Sequence, residues 1–179
     1  MKKIKILDKK FEIFINKKEI ENAINKIANQ LNEDYKDKEV IFLGILNGSF
    51  MFASDLFKKL KIKAKITFLK LASYDGASST GKVKRLIGIN EVIENKNLII
   101  LEDIVDTGIT IDHIIRQLKG YEPKEIKIAS FLYKPDSDKK KIPIDYIGIE
   151  IPNDFIVGYG LDYDGYGRNL EEIYKICDL

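Results

Sequence analysis

Cysteine and histidine are nearly missing from this 179-residue chain, which holds one of each, Cys177 and His113. A lone thiol forms no internal disulfide and supplies no cysteine-based metal cluster, so a reducing cytoplasm is the expected compartment. Long hydrophobic runs are also lacking. No window approaches the ~18 uninterrupted apolar residues of a membrane span, and Met1 to Leu7 leads into Asp8-Lys9-Lys10 instead of a signal core. Neither a membrane nor secretion is expected. An excess of one charge is absent as well: 30 Lys and Arg stand against 28 Asp and Glu, a formal net charge of +2. Nothing in that balance draws the chain to nucleic acid or anionic lipid, so any anion site must be local. What is present is a globular mixture, 45% hydrophobic and 32% charged, of a length that suits one domain over residues 1 to 179.

Periodicity divides the chain. Residues 1 to 15 alternate weakly (Ile4, Ile6; Phe11, Ile13, Ile15), as in a hairpin or edge strand. Asn16-x-x-Glu19 has the form of a helix start, and Ile20, Ala23, Ile24, Ile27, Ala28 and Leu31 share one face of a helix over about 17–35. The unbroken apolar run Val40 to Leu46 suits a strand covered on both faces in a parallel sheet. Asn47-Gly48-Ser49 ends it, Ala53, Leu56, Phe57 and Leu60 mark a second helix, and 64–72 is a second strand. Small polar residues from Ser73 to Gly81 predict a loop, and Val83 to Val92 a strand interrupted at Gly88. A strand from Asn97 leads into three acids, followed by a helix marked by Ile111, Ile114, Ile115 and Leu118. Ile126 to Leu132, Ile144 to Ile151 and Phe155 to Leu161 read as strands, with a solvated Lys- and Asp-rich loop at 134–141. The sum is an α/β fold: a mainly parallel sheet flanked by helices, with the terminal segments as antiparallel additions.

The most informative run is Glu102-Asp103-Ile104-Val105-Asp106-Thr107-Gly108-Ile109-Thr110. It carries acids and then a small-residue loop to the carboxyl edge of a sheet, where α/β proteins bind ligands. Backbone N–H groups from Thr107 to Thr110, with two hydroxyls and a helix start, make a compact cradle for a phosphate. The neighbouring acids would repel that phosphate. They make better sense facing sugar hydroxyls, a hydrated Mg²⁺ ion or a proton to be removed. The competing reading makes Glu102 and Asp103 solvated strand-end charges and Asp106 a helix cap. The order of residues favours the first, because it resembles the phosphoribosyl diphosphate (PRPP) motif of phosphoribosyltransferases.

The resemblance extends over about residues 40–168 and is to the bacterial 6-oxopurine (hypoxanthine-guanine) phosphoribosyltransferases. Leu46-Asn47-Gly48 resembles that family's pyrophosphate loop, with Asn47 standing where many members carry Lys. Ser73-Tyr74 resembles the opening of its flexible active-site loop, here about 73–84. Lys134, and Phe155-Ile156 through Asp162 to Arg168, resemble its base pocket and C-terminal signature. The resemblance implies a type I phosphoribosyltransferase fold with a small hood built from both termini. It implies purine salvage, with phosphoribosyl transfer from PRPP to hypoxanthine or guanine giving IMP or GMP and pyrophosphate. By position, Asp106 is the general base, and Glu102, Asp103, Asp106, Thr107, Gly108, Ile109 and Thr110 hold PRPP. Leu46, Asn47, Gly48 and Arg168 take pyrophosphate. Lys134, Phe155, Ile156 and Asp162 form the base pocket, and Glu102, Asp103 and Asp162 take part in the shell of Mg²⁺, partly through ribose hydroxyls and water. A dimer or tetramer is implied. The alternatives are a nucleotide- or RNA-sensing regulator on the same fold, or transfer to another base such as xanthine. His113 is expected to be an ordinary helix residue and Cys177 an incidental thiol.

Overall fold

The computed structural model describes residues 3–72, 84–88 and 91–177. Its first elements are a hairpin of β1 (Lys3–Ile6) and β2 (Lys9–Ile15). Helix α1 (Lys17–Asp34) starts on a complete capping box. Asn16 Oδ1 accepts from Lys18 N at 3.0 Å and Glu19 N at 3.1 Å, while Glu19 Oε2 accepts from Asn16 N at 2.9 Å. The six residues expected on its apolar face are all buried.

Six strands form the main sheet, in the order β5-β4-β3-β6-β7-β8. These are β3 (Glu39–Leu46), β4 (Lys63–Ala72), β5 (Lys84–Ile87), β6 (Asn97–Val105), β7 (Glu125–Tyr133) and β8 (Tyr146–Glu150). All pairings are parallel except that of β5 with β4. Because strand side chains alternate, the central strands feed two cores. Val40, Phe42, Ile99, Leu101 and Phe131 pack with α1 and α2 (Phe50–Phe57). Ile41, Leu43, Leu98, Ile100 and Ile128 pack with α3 (Ile109–Lys119). Each fully buried Leu, Ile or Phe contributes about 1.5–3 kcal/mol of transfer free energy, which explains why β3 and β6 read as unbroken apolar runs.

A second, antiparallel sheet joins the two ends of the chain in the order β1-β2-β10-β9, with β9 (Ile156–Val157) and β10 (Ile173–Cys177). Its own core is Phe11, Val157 and Tyr174. This is the expected hood. Two strands are shorter than their sequence suggests. Of the expected strand Val83 to Val92, the described residues show β5 at Lys84–Ile87, with Gly88 and residues 91–92 outside it and Val92 largely exposed; Val83, Ile89 and Asn90 lie outside the described residues. The expected strand Phe155 to Leu161 stops after Val157, because Gly158, Tyr159 and Gly160 take φ of 103°, 50° and 98°, and left-handed backbone cannot continue a ladder. Among the described residues no helix is long and apolar enough to cross a membrane.

Candidate active site

Strand order reverses between β3 and β6: β4 lies on one side of this pair, β7 and β8 on the other. In open α/β sheets ligands bind at such a switch point, beyond the carboxyl ends of the strands. Two turns meet there. One is the turn Asn47-Gly48-Ser49 after β3, entered through a cis Leu46–Asn47 peptide and held from below by buried Ser49, whose Oγ donates to Ile45 O at 2.7 Å. A Cβ on Gly48 would lie 1.6 Å from Asp103 Oδ2, and one on Gly160 would lie 2.1 Å from Gly48 O. Gly160, at positive φ against backbone, requires glycine, and a side chain at Gly48 would displace the Asp103 carboxylate: the turn is pressed between the β6 acid and the Gly158–Gly160 segment. That segment is tied down by Tyr159, whose hydroxyl donates to Asp55 Oδ2 on α2 at 2.7 Å.

The other turn follows β6. Glu102 and Asp103, expected at the strand end, are still within the strand, so they point to opposite faces. Glu102 is buried, and among the described residues its Oε2 has no hydrogen-bond partner. Burial, and then the charge of Asp103, push its pKa well above the ordinary carboxylate range. Burial also lifts half-buried Asp103 to about 6, against the pull of backbone N–H groups and Arg168. Past them Asp106-Thr107-Gly108 turns into α3, with Gly108 at φ 73° and no side chain capping the helix. Among the described residues the only side-chain contact to these amides is a long one, Ile109 N to Thr107 Oγ1 at 3.5 Å. A recess of about 90 Å³ opens here, lined by Glu102, Asp106, Thr107, Gly108 and Thr110 among others.

Lys134 begins the loop after β7 and is buried, not solvated as its charged surroundings suggested. Its Nζ lies 3.4 Å from Asp106 Oδ2 and 3.3 Å from Asn153 Oδ1. Asp138 of the same loop is buried too. The expected stacking residue Phe155 exposes 45% of its surface, while its ring meets Tyr163 edge-on with centroids 5.8 Å apart. Ile156 is buried, in β9. Arg168 bonds Asp162 Oδ1 at 2.6 Å and Gly160 O at 2.7 Å, and Asp162 Oδ2 also accepts from Gly165 N at 2.7 Å.

The candidate residues thus fall into two groups around β6. Glu102, Asp106, Thr107, Gly108 and Thr110 line the recess at α3, with Lys134 against Asp106. Asp103, Gly48, Asp162 and Arg168 lie together on the other side. Glu102, Asp103 and Asp162 do not converge as three direct metal ligands: among the described residues no such group stands ready. Alternation sends the first two to opposite faces, which leaves Asp103 on the side of Asp162 and its partner Arg168. Ser73 and Tyr74 lie outside the described residues. His113 is an ordinary helix residue, within 2.8 Å of Gln117. Sequence reading gave no role to Asn153, Asp138, Gly160 or the Asp55–Tyr159 pair. Only Gly160 carried a signal, in its Gly-x-Gly spacing.

Comparison with known proteins bears on this geometry. The family model of the phosphoribosyl transferase domain matches residues 13–164. A hypoxanthine-guanine phosphoribosyltransferase of Staphylococcus aureus is 39% identical over 163 residues, covering 90% of this chain and 91% of that protein. Among solved structures, a hypoxanthine-guanine phosphoribosyltransferase of Bacillus anthracis with HEPES in its active site superposes with a TM-score of 0.86 at 34% identity, covering 93% and 97% of the two chains. A hypoxanthine phosphoribosyltransferase of S. aureus gives 0.87 at 38% identity, over 93% and 91%. With its strand order, its loop after β6 and these relatives in agreement, the chain belongs to the phosphoribosyltransferase family, in the hypoxanthine-guanine branch.

Proposed function

We propose that this chain is a purine-salvage enzyme that transfers the 5-phosphoribosyl group of PRPP to hypoxanthine or guanine, releasing pyrophosphate. The observation that carries this reading is the placement of Lys134 Nζ 3.4 Å from Asp106 Oδ2 at the mouth of the phosphate recess. A 6-oxopurine presents O6 and N7 side by side on one edge. A cation next to an acid matches that edge: the ammonium donates to O6 and the carboxylate takes the proton from N7. Adenine offers an amine where the oxygen should be, and so meets a donor with a donor.

In the reaction the purine N9 forms a bond to C1 of the ribose as the bond from C1 to pyrophosphate breaks, with positive charge building on the sugar. Asp106 removes the N7 proton and stabilises that charge. The amides at Thr107 to Thr110, of which only Ile109 N makes a long bond to Thr107 Oγ1 among the described residues, seat the 5′-phosphate, aided by the partial positive charge of the α3 N-terminus. Glu102, whose buried Oε2 lacks a partner, faces the same recess and accepts or donates to a ribose hydroxyl. Phe155 stacks on the base and the Ile156 main chain reads its far edge. Leu46, Asn47 and Gly48 with Arg168 receive pyrophosphate. Main-chain groups of the turn make this contact, so Asn47 in place of Lys costs one charge and not the site.

The hard oxygen donors of Asp103 and Asp162, flanking the Gly48 turn, fit Mg²⁺ shared with PRPP and water rather than enclosed by protein ligands. Held there by Asp103 and Asp162, such an ion would supply charge neutralisation for the leaving pyrophosphate. The protein is proposed to act in the cytoplasm as a dimer or tetramer. The test is pyrophosphate release with PRPP and Mg²⁺, supplying hypoxanthine, guanine, xanthine, adenine and uracil in turn. Turnover with hypoxanthine or guanine and none with adenine or uracil is expected. Nucleotide binding without turnover on any base would assign the chain to a regulatory role instead.

A further inference from the structure

Asp138 is an acid that purine transfer does not use, yet it exposes only 6% of its surface. A buried carboxyl is costly unless its oxygens are satisfied, and here they are. Oδ1 accepts from the backbone N–H of Lys140 at 3.0 Å and Lys141 at 2.9 Å, and Oδ2 accepts from the Tyr133 hydroxyl at 3.2 Å. These bonds fold residues 134–141 into a tight loop laid against the turn after β6. That contact is specific. Lys134 N donates to Val105 O at 3.0 Å, Lys139 N donates to Thr107 O at 3.2 Å, and Lys140 Nζ pairs with Asp112 of α3 at 3.5 Å. Gly108 lies directly under the acid: a Cβ there would sit 2.5 Å from Asp138 Oδ1.

One loop therefore carries Lys134 at its start and supports Thr107 and Gly108 from its middle. We infer that Asp138 is a positioning residue, which sets the seat of the substrate's 5′-phosphate and the base-reading Lys134 as one rigid bracket. It touches no substrate. It holds the Thr107 carbonyl and the left-handed Gly108 where the α3 amides converge, and a displacement of ~1 Å in such a seat can cost up to about a hundredfold in rate. The inference rests on the reading of residues 107–110 as the phosphate seat. It adds that the seat's shape is imposed from β7 and its loop, not from α3 alone.

The readout is binding, since a residue that merely supports folding changes the amount of active protein and not the affinity of what remains. IMP and pyrophosphate, each with Mg²⁺, are titrated into wild type, Asp138→Ala, Asp138→Asn and Tyr133→Phe, with melting curves to show that each is folded. Asn keeps the Oδ1 acceptor for both backbone N–H groups and can donate to the Tyr133 oxygen. Asp138→Ala is expected to weaken IMP about tenfold, on the scale of a small misplacement, Asp138→Asn less than about twofold and Tyr133→Phe about two- to threefold, one bond of three being lost. Pyrophosphate affinity, governed from the opposite side of β6, stays unchanged throughout. Unchanged IMP affinity in Asp138→Ala, equal losses for Ala and Asn, or a matching loss for pyrophosphate would overturn the bracket. If Asp138→Ala does not fold, unchanged IMP affinity in Tyr133→Phe overturns it in its place. Wild type that binds pyrophosphate but not IMP would instead overturn the phosphate-seat reading itself.

Discussion

Helix α1 begins with its amides closed by its own side chains, Asn16 accepting from Lys18 and Glu19 and Glu19 bonding back, whereas α3 begins at a left-handed glycine with no side-chain cap. Both are amphipathic and both bury Ile and Leu against the same sheet, so packing does not separate them. What separates them is their place. The α1 start lies between the hood and the sheet, where unpaired amides would only cost stability. The α3 start lies at the switch point, next to a buried acid with an unpartnered oxygen. Under the proposed function, this open helix start, beside a carboxyl oxygen with no partner among the described residues, is kept ready for the phosphate at the expense of stability.

Substitutions can break this contrast, beginning at the open end. Asp106→Asn keeps the size of the side chain and removes the proton acceptor. Its kcat should fall by ~10²–10⁴, with PRPP KM changed far less. Initial rates over a PRPP series measure both. Lys134→Ala should raise KM for hypoxanthine and guanine by about tenfold or more, the worth of a charged hydrogen bond, because that bond forms in ground and transition states alike. A rise confined to PRPP KM would place Lys134 outside the base pocket.

The acids of β6 give a pH signature that the closed end lacks. Burial raises Asp103 from 3.8 to about 6, so the folded protein holds this proton more tightly than the unfolded chain does. The resulting stability is fully present below the unfolded value and is lost as pH rises through about 6. Asp103→Asn should therefore gain on wild type between pH 4 and pH 7, by up to ~2 kcal/mol, read as a crossing or convergence of melting temperatures. Melting curves that keep a constant offset over that range would show that Asp103 is not held in a protonated state. The smallest effect belongs to α1: Asn16→Ala should cost about 1 kcal/mol, ~2–4 °C in Tm for a chain of this size, with kinetics unchanged.

The same contrast explains what could be read from the sequence. The α1 cap, the apolar run of β3 and the run of acids leading to the α3 turn are local patterns; the first two stand where their residues indicated, while Glu102 and Asp103 lie inside β6 and not at its end. Residues 3–15 form the hairpin that their weak alternation indicated, whereas β10, which joins that hairpin to β9 in the hood, had no such pattern to announce it. Features made by distant segments were not legible. Phe155 to Leu161 reads as a strand until Gly158 meets Glu172 O and Gly160 meets Gly48 O, approaches that only the fold creates. Lys134 and Asp138 have the composition of a solvated loop, and their burial depends on bonds to Val105, Thr107 and Tyr133. Alternation divides Glu102 and Asp103, both expected around Mg²⁺ partly through ribose hydroxyls and water, between opposite faces of the sheet.

The most direct measurement is backbone amide exchange at the starts of α1 and α3, with and without IMP, using inosine as the ligand that lacks only the phosphate. If the open start of α3 is the phosphate seat, IMP slows exchange at Thr107 to Thr110, inosine does not, and Lys18 and Glu19 respond to neither. Equal protection by IMP and inosine, or none at Thr107 to Thr110, would contradict it.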